Sequence, residues 1–149
     1  MKYISGEDIL VFHHEIIEEI GGLHGVRDVG LLVSSVERPK MRYAGKELHK
    51  GVFQKAAVYF DSLARHHVFV DGNKRTAVVS SARFLFMNGY ELATGNKEIE
   101  KFALRVVSEK PDLKTIAAWF KKNSRRVKIK KMTTEKLEEK EKPINIQAL

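Results

Sequence analysis

Residues 66–77 of the chain read HHVFVDGNKRTA and join two long apolar segments near the middle of the sequence. Before this stretch, residues 51–66 carry apolar side chains at helical intervals over a broad face, and residues 76–88 do the same after it. A face of that width is typical of a helix buried in a core. The stretch therefore predicts two buried helices joined by a polar loop, with Gly89 ending the second helix.

Helical periodicity before this stretch predicts two further helices. Ser5 and Asp8 have the spacing of a capping box, so a first helix starts behind Ser5 and ends at Gly21. A second helix starts near Asp28 and ends before Pro39, because the residue that precedes a proline is pushed out of the helical conformation.

Behind the central stretch, Asn96 and Asp112 are predicted to cap two more helices. Strand patterns are few, and residues 38–51, RPKMRYAGKELHKG, follow neither the helical nor the strand period. These residues are predicted to form an excursion from the bundle. The sequence therefore predicts an all-α fold, a compact bundle of about six helices.

The composition limits where such a chain works. With 149 residues, 43% of them hydrophobic, it is long enough for one domain with a core. It contains no cysteine, which excludes disulfides and thiolate metal sites and fits a reducing compartment. No apolar run approaches the roughly 18 residues of a membrane span, and the first residues do not resemble a signal peptide. We expect a cytoplasmic protein without a membrane partner.

The net charge of +8 is concentrated in residues 121–131, KKNSRRVKIKK. Such a run is either a solvated basic end or a docking place for an acidic partner such as nucleic acid. Because the charge lies at one end, nucleic acid is not the expected partner of the domain itself. Residues 128–149 mix charges with few apolar side chains, which predicts a flexible tail behind a domain of residues 1–127.

The central loop has the composition of an anion site. Asp71 and Gly72 make a turn, and the peptide groups of Gly72, Asn73 and Lys74 then fall where the next helix begins. A helix start offers unpaired N–H donors and the positive end of the macrodipole, and Lys74 and Arg75 add full charges. Each residue taken singly also has a structural explanation, as a cap, a turn or a solvated charge. Together they predict a receptor for phosphate.

Two further side chains of the loop suit group transfer. Asp71 is a hard oxygen ligand, and magnesium is usually held by one or two carboxylates together with phosphate oxygens and water. A histidine side chain can accept a proton from a hydroxyl group at neutral pH, which makes His67 a candidate general base. Phe69, between them, is predicted to fasten the loop to the core.

The remaining histidines are expected to have other roles. His66 is adjacent to His67 and points in a different direction, so it is predicted to be structural. His13, His14, His24 and His49 show no metal-ligand spacing with a third ligand, and we expect surface or turn roles for them.

With these residues in view, HVFVDGNKRTA resembles the signature of the Fic/Doc family, His-x-Phe-x-Asp/Glu-Gly/Ala-Asn-x-Arg. The flanking sequences GGLHGVRDVGLL and FLFMNGYEL also resemble the death-on-curing branch, so the resemblance covers roughly residues 3–125. It implies a helical bundle in which His67 deprotonates a target hydroxyl and Asp71 holds magnesium. It further implies that four residues surround the phosphates of ATP: Gly72, Asn73, Lys74 and Arg75.

The chain departs from the usual family motif at two positions. Most members transfer AMP from ATP to a protein hydroxyl, and they have glycine in place of Lys74 and a second arginine in place of Val78. A lysine would fill space that the α-phosphate needs, and the missing guanidinium would have clamped the far phosphates. Death-on-curing toxins share the lysine. The resemblance of this chain to them implies transfer of the γ-phosphate of ATP to a threonine of elongation factor Tu.

Two other functions stay open beside this kinase-like reaction. The same pocket could transfer AMP, which the identity of the transferred phosphate would reveal. A basic module that binds nucleic acid through residues 121–131 without catalysis is the alternative from another class.

The resemblance gives the excursion at residues 38–51 and the regulation of the protein an interpretation. In the family a small β-hairpin flap in this region pairs with the extended backbone of the target. The predicted pairing edge consists of Met41, Arg42, Tyr43 and Ala44, and an ordinary surface loop is the alternative. Such toxins are usually neutralised by a separate antitoxin protein whose disordered segment folds onto the bundle, so we expect an antitoxin partner.

Overall fold

The structure is a computed structural model, and it describes residues 1–127. Six α-helices make up most of this part, as predicted: α1 Gly6–Ile20, α2 Val29–Glu37, α3 Val52–Arg65, α4 Asn73–Met87, α5 Asn96–Glu109 and α6 Leu113–Lys122. A 3-10 turn at Arg38–Lys40 follows α2. Four short strands complete the elements: β1 Arg42–Tyr43, β2 Lys46–Glu47, β3 Tyr90–Leu92 and β4 Ser124–Arg126. The tail predicted for residues 128–149 lies outside the described residues.

Helix α3 is the centre of the core. Every residue from Lys55 to Ala64 is buried, because α3 contacts α4, α6, α2 and α5. Aromatic rings fill the space between α3, α5 and α6, where Phe60, Phe102, Trp119 and Phe120 contact one another. The wide apolar face predicted for residues 51–66 is therefore confirmed, and both ends of the central loop are attached to buried helices.

Most predicted helix ends are confirmed. Ser5 and Asp8 form the capping box of α1, and the side chains of Asp28 and Asp112 cap α2 and α6. The predicted cap at Asn96 is wrong by one residue, because Gly95 is the N-cap of α5 and Asn96 is its first helical residue.

Helix α4 begins at Asn73, three residues before the first residue of its apolar pattern at Thr76. The first turn is polar and carries no periodic signal, so the apolar pattern alone could not show it. Gly72 turns the chain into the helix with a φ of +76°, a left-handed conformation that glycine adopts readily.

Residues 38–51 contain the expected small hairpin. Strands β1 and β2 pair antiparallel, with Arg42 opposite Glu47 and Tyr43 opposite Lys46. The turn residues Ala44 and Gly45 both have positive φ angles, 50° and 77°, as in the two-residue turns whose twist suits a hairpin.

A second strand pair was not predicted. Strand β3 pairs antiparallel with β4, so residues 124–126 of the basic run pack beside the segment that follows α4. Arg125 Nε lies 2.8 Å from Oε1 of the buried Glu91, and the Arg126 guanidinium lies over the Tyr90 ring. Two charges of the basic run are therefore engaged in the fold. Among the described residues, none of the helices is long and apolar enough to cross a lipid bilayer.

Candidate active site

The central loop lines a cavity of about 450 Å³. All six residues predicted for the catalytic loop contribute to its wall: His67, Asp71, Gly72, Asn73, Lys74 and Arg75. The four flap residues do not line it. They are exposed: Arg42 and Tyr43 form strand β1, and Met41 and Ala44 flank that strand. The structure therefore brings the predicted base, metal ligand and phosphate receptor to one hollow.

The opposite wall of the cavity comes from α5, which the sequence did not indicate. It consists of Glu100, Ala103, Leu104 and Val107, which follow the spacing of one helical face. Their neighbours Ile99, Phe102 and Val106 are buried in the core. The periodicity thus showed that α5 is amphipathic, but it could not show that its half-exposed face would meet the central loop.

The amino end of α4 is built to receive an anion. Thr76 is the first residue whose N–H bonds within the helix, to the Gly72 carbonyl at 3.0 Å, so the N–H groups of residues 73–75 precede the helical ladder. No side chain of the described residues caps this end. The buried Nε of Arg75 likewise has no hydrogen-bond partner among the described residues. Phosphate oxygens fit this set of donors.

Asn73 has a structural task besides. Its side-chain Oδ1 accepts from the Phe69 N–H at 2.9 Å, and its Nδ2 donates to the Phe69 carbonyl at 3.0 Å. The amide thus closes the loop onto itself, as a paired strand would. The side chain thereby fixes the shape of the loop, and the main-chain N–H of Asn73 and the second hydrogen of its Nδ2 remain for a phosphate.

His13 supports the loop from α1, and its predicted surface or turn role is wrong. Its ring is buried and stacks on Phe69 with 3.8 Å between the ring centroids and 6° between the planes. Its Nε2 lies 2.8 Å from the Asp71 carbonyl oxygen, which can only accept, so Nε2 carries the hydrogen. Burial lowers the pKa of His13 below its ordinary value. The stack also confirms that Phe69 fastens the loop to the core.

The Asp71 carboxylate is held by main-chain donors. Oδ1 accepts from the Gly72 N–H at 2.9 Å, and Oδ2 accepts from the Leu23 N–H at 3.2 Å. A side chain on Gly22 would clash, because a Cβ there would lie 2.6 Å from Oδ2. The side chain is exposed, and a carboxylate has about four acceptor positions. An oxygen-preferring cation such as magnesium therefore fits beside the phosphate receptor.

His67 is exposed at the cavity and has a left-handed backbone, with a φ of +51°. Arg27 holds this conformation. The Arg27 Nε donates to the His67 carbonyl at 2.5 Å, and its Nη2 donates to the His66 carbonyl at 3.0 Å. Its main-chain N–H also donates to the Val68 carbonyl at 2.8 Å. No local pattern pointed to Arg27, because it is 40 residues from His67 along the chain.

A polar loop between two buried helices, with a histidine and an anion receptor on one cavity, defines the class of protein. The chain matches the Fic/DOC family over residues 3–85 and belongs to that family. The first of two similar proteins is the toxin Doc of Mycolicibacterium smegmatis (strain ATCC 700084 / mc(2)155). It is 38% identical over 119 residues, which cover 78% of this chain and 89% of the relative.

The second similar protein is the protein kinase doc of Escherichia phage P1. It is 37% identical over 92 residues, which cover 62% of this chain and 72% of the relative. The resemblance to the death-on-curing branch is thereby confirmed.

Proposed function

We propose that this chain is a Doc-like toxin that transfers the γ-phosphate of ATP to a hydroxyl group of a target protein. The observation that carries the proposal is the shared cavity of His67 and the amino end of α4. Its volume of about 450 Å³ lies within the range of ordinary small-molecule sites. The names of the two relatives, a toxin and a protein kinase, support both halves of the proposal.

The residues of the cavity have distinct tasks in this reaction. The N–H groups of residues 73–75 and the charges of Lys74 and Arg75 hold the phosphates. Asp71 would hold magnesium, which when bound neutralises phosphate charge. The His67 imidazole accepts the proton of the target hydroxyl. The hydroxyl oxygen then forms a bond to the γ-phosphorus, the bond from that phosphorus to the bridging oxygen breaks, and ADP leaves.

Val78 and Lys74 favour phosphate over AMP transfer. Val78 lies three residues beyond Arg75 on α4 and places an apolar side chain on the cavity wall. AMP-transferring members of the family have an arginine there, so the cavity lacks one clamp for the far phosphates of ATP. Lys74 adds a charge and occupies space where those members have glycine. Transfer of AMP remains the alternative that the experiment below distinguishes.

The hairpin flap is suited to align the target. Leu48 N donates to the Met41 carbonyl at 2.9 Å, which makes these two residues a hydrogen-bonded pair of the hairpin. Such pairs alternate with non-bonded pairs in an antiparallel ladder, so the N–H and C=O of Arg42 point away from β2. An extended target segment can pair with them. A threonine-bearing segment of elongation factor Tu is the target we propose, and a separate antitoxin protein is the proposed inhibitor.

The test is to incubate the protein, magnesium and purified elongation factor Tu with ATP labelled at either the α or the γ phosphorus. We expect label from γ alone, and His67→Ala should lower the rate by at least about 100-fold. His66→Ala is the matched control, because His66 is an exposed histidine that does not line the cavity. Label from α would show AMP transfer. If neither label reaches this target or proteins of a cell lysate, the proposed enzyme function is wrong.

A further inference from the structure

Three side chains with metal-ligating atoms lie together outside the active-site cavity. His14 and Glu18 are one turn apart on α1, and His24 belongs to the loop that follows this helix. The ligand atoms of the three residues all lie within 4.8 Å of one another. The loop makes this possible, because Gly21 and Gly22 have φ angles of +97° and +112° and turn the chain back beside the helix.

The expectation that these histidines lack a third ligand therefore does not hold in three dimensions. His14 and Glu18 have the spacing that places two side chains on one helical face. His24 Nε2 lies 2.8 Å from Glu18 Oε1, and the rings of His14 and His24 have their centroids 5.0 Å apart. All three residues are exposed, so a solvated ion can reach them.

We propose that His14, Glu18 and His24 form a binding site for a divalent transition metal ion of the zinc class. Two imidazole nitrogens and one carboxylate oxygen are a donor set that zinc accepts, with water in the fourth position. Magnesium prefers oxygen ligands alone, so this site differs in chemistry from the one at Asp71. Zinc ligands lie about 2.0–2.2 Å from the ion, so these exposed side chains must shift slightly, and the ion replaces the hydrogen bond of 2.8 Å between His24 and Glu18.

An ion at this site would tie the loop of residues 21–25 to α1. The loop of residues 21–25 contacts the central loop directly, because Leu23 N–H donates to Asp71 Oδ2 and Val70 N–H donates to the Gly25 carbonyl. His24 lies between these two contacts in the sequence. Zinc binding is therefore expected to slow opening of the loop, and hence the hydrogen exchange of the Leu23 amide.

The experiment is a calorimetric titration of the full chain, freed of any affinity-tag histidines, with zinc chloride and without nucleotide. We expect one equivalent of zinc to bind, and His24→Ala and Glu18→Gln to weaken its binding by at least about tenfold. His49→Ala is the matched control, because it removes a histidine away from the three ligands. Asp71→Asn tests the other candidate site, and we expect this variant still to bind one equivalent of zinc.

Two outcomes would overturn the proposal. Unchanged zinc binding by His24→Ala would show that His24 and Glu18 form a surface hydrogen bond only. Loss of binding in Asp71→Asn, with retention in His24→Ala, would place the ion in the active-site cavity instead. Thermal unfolding of the metal-free variants shows whether each is folded. Exchange of the Leu23 amide gives a second readout, which zinc should slow in the parent chain and leave unchanged in His24→Ala.

Discussion

His67 has a backbone conformation that few side chains adopt, with a φ of +51°. A residue other than glycine in this region costs roughly 1–2 kcal/mol, which the surroundings must offset. Arg27 provides part of this, because its guanidinium holds the carbonyls of both His66 and His67. The position of the proposed catalytic base therefore depends on a residue from a different loop.

Replacing Arg27 with lysine tests this dependence. An ammonium group cannot hold both carbonyls in the geometry of the guanidinium, so we expect the free energy of unfolding to fall by about 1 kcal/mol. The rate of γ-label transfer should fall by at least about tenfold, because a small displacement of a catalytic group is costly. Arg105→Lys on the exposed face of α5 is the control. Equal transfer rates in the two variants would contradict the role given to Arg27.

Gly22 is the second residue on which the site depends. Its φ is +112°, and a Cβ would approach Asp71 Oδ2 to 2.6 Å. Gly22→Ala is expected to destabilise the fold by more than about 1 kcal/mol and to displace the carboxylate. More magnesium should then be needed for half-maximal transfer. Gly95→Ala is the control, because its φ is −76° and a Cβ there meets nothing within 4 Å. An unaltered magnesium requirement in Gly22→Ala would argue that Asp71 does not bind the metal.

Among the elements, the hairpin flap is attached to the core through Lys55 of α3. The Lys55 side chain is only 1% exposed, and its Nζ donates to the carbonyls of Pro39 at 2.9 Å and His49 at 2.7 Å. It also lies 3.2 Å from Glu47 Oε1 on β2. One buried ammonium group therefore holds the segments before and after the flap together with its second strand.

Lys55→Met retains the length of the side chain and removes these bonds. We expect the free energy of unfolding to fall by roughly 2–3 kcal/mol, because two carbonyls lose their donor. Because the flap is proposed to align the target, KM for the target protein should rise while the affinity for ATP stays unchanged. Lys97→Met, on the exposed surface of α5, is the control. A loss of ATP binding equal to the loss of target binding would argue against a role confined to the flap.

The same elements show how far the sequence could predict the structure. The capping box of Ser5 and the cap at Asp112 are local signals, so the ends of α1 and α6 could be predicted. Strand β3 has three residues and finds its partner β4 only after two intervening helices, so no local pattern indicated it. The catalytic loop could be predicted because its residues are consecutive. The α5 wall and Arg27 could not, because their contribution arises from packing between distant segments.

Across the whole molecule, the active-site loop is supported from several directions. Its ends continue into α3 and α4, His13 of α1 stacks under Phe69, and residues 25–28 bond to Val68 and Val70. A site whose reacting groups must be held within fractions of an ångström benefits from such support on every side. The stability of the bundle and the geometry of the cavity are therefore coupled, and conditions that loosen the bundle should affect both.

Acid is one such condition, and His49 contributes to its effect. Burial, together with the positive charges of Arg38 and Lys55, lowers the pKa of His49 below 6.5 in the folded chain. The unfolded chain therefore takes up the proton first, and stability falls as the pH drops below about 6.5. Urea unfolding at about pH 7.5 and about pH 5.5 should show a smaller loss in His49→Gln than in the parent chain. Part of the loss should remain in His49→Gln, because burial lowers the pKa of His13 as well. An equal loss in His49→Gln and in the exposed control His66→Gln would refute this contribution.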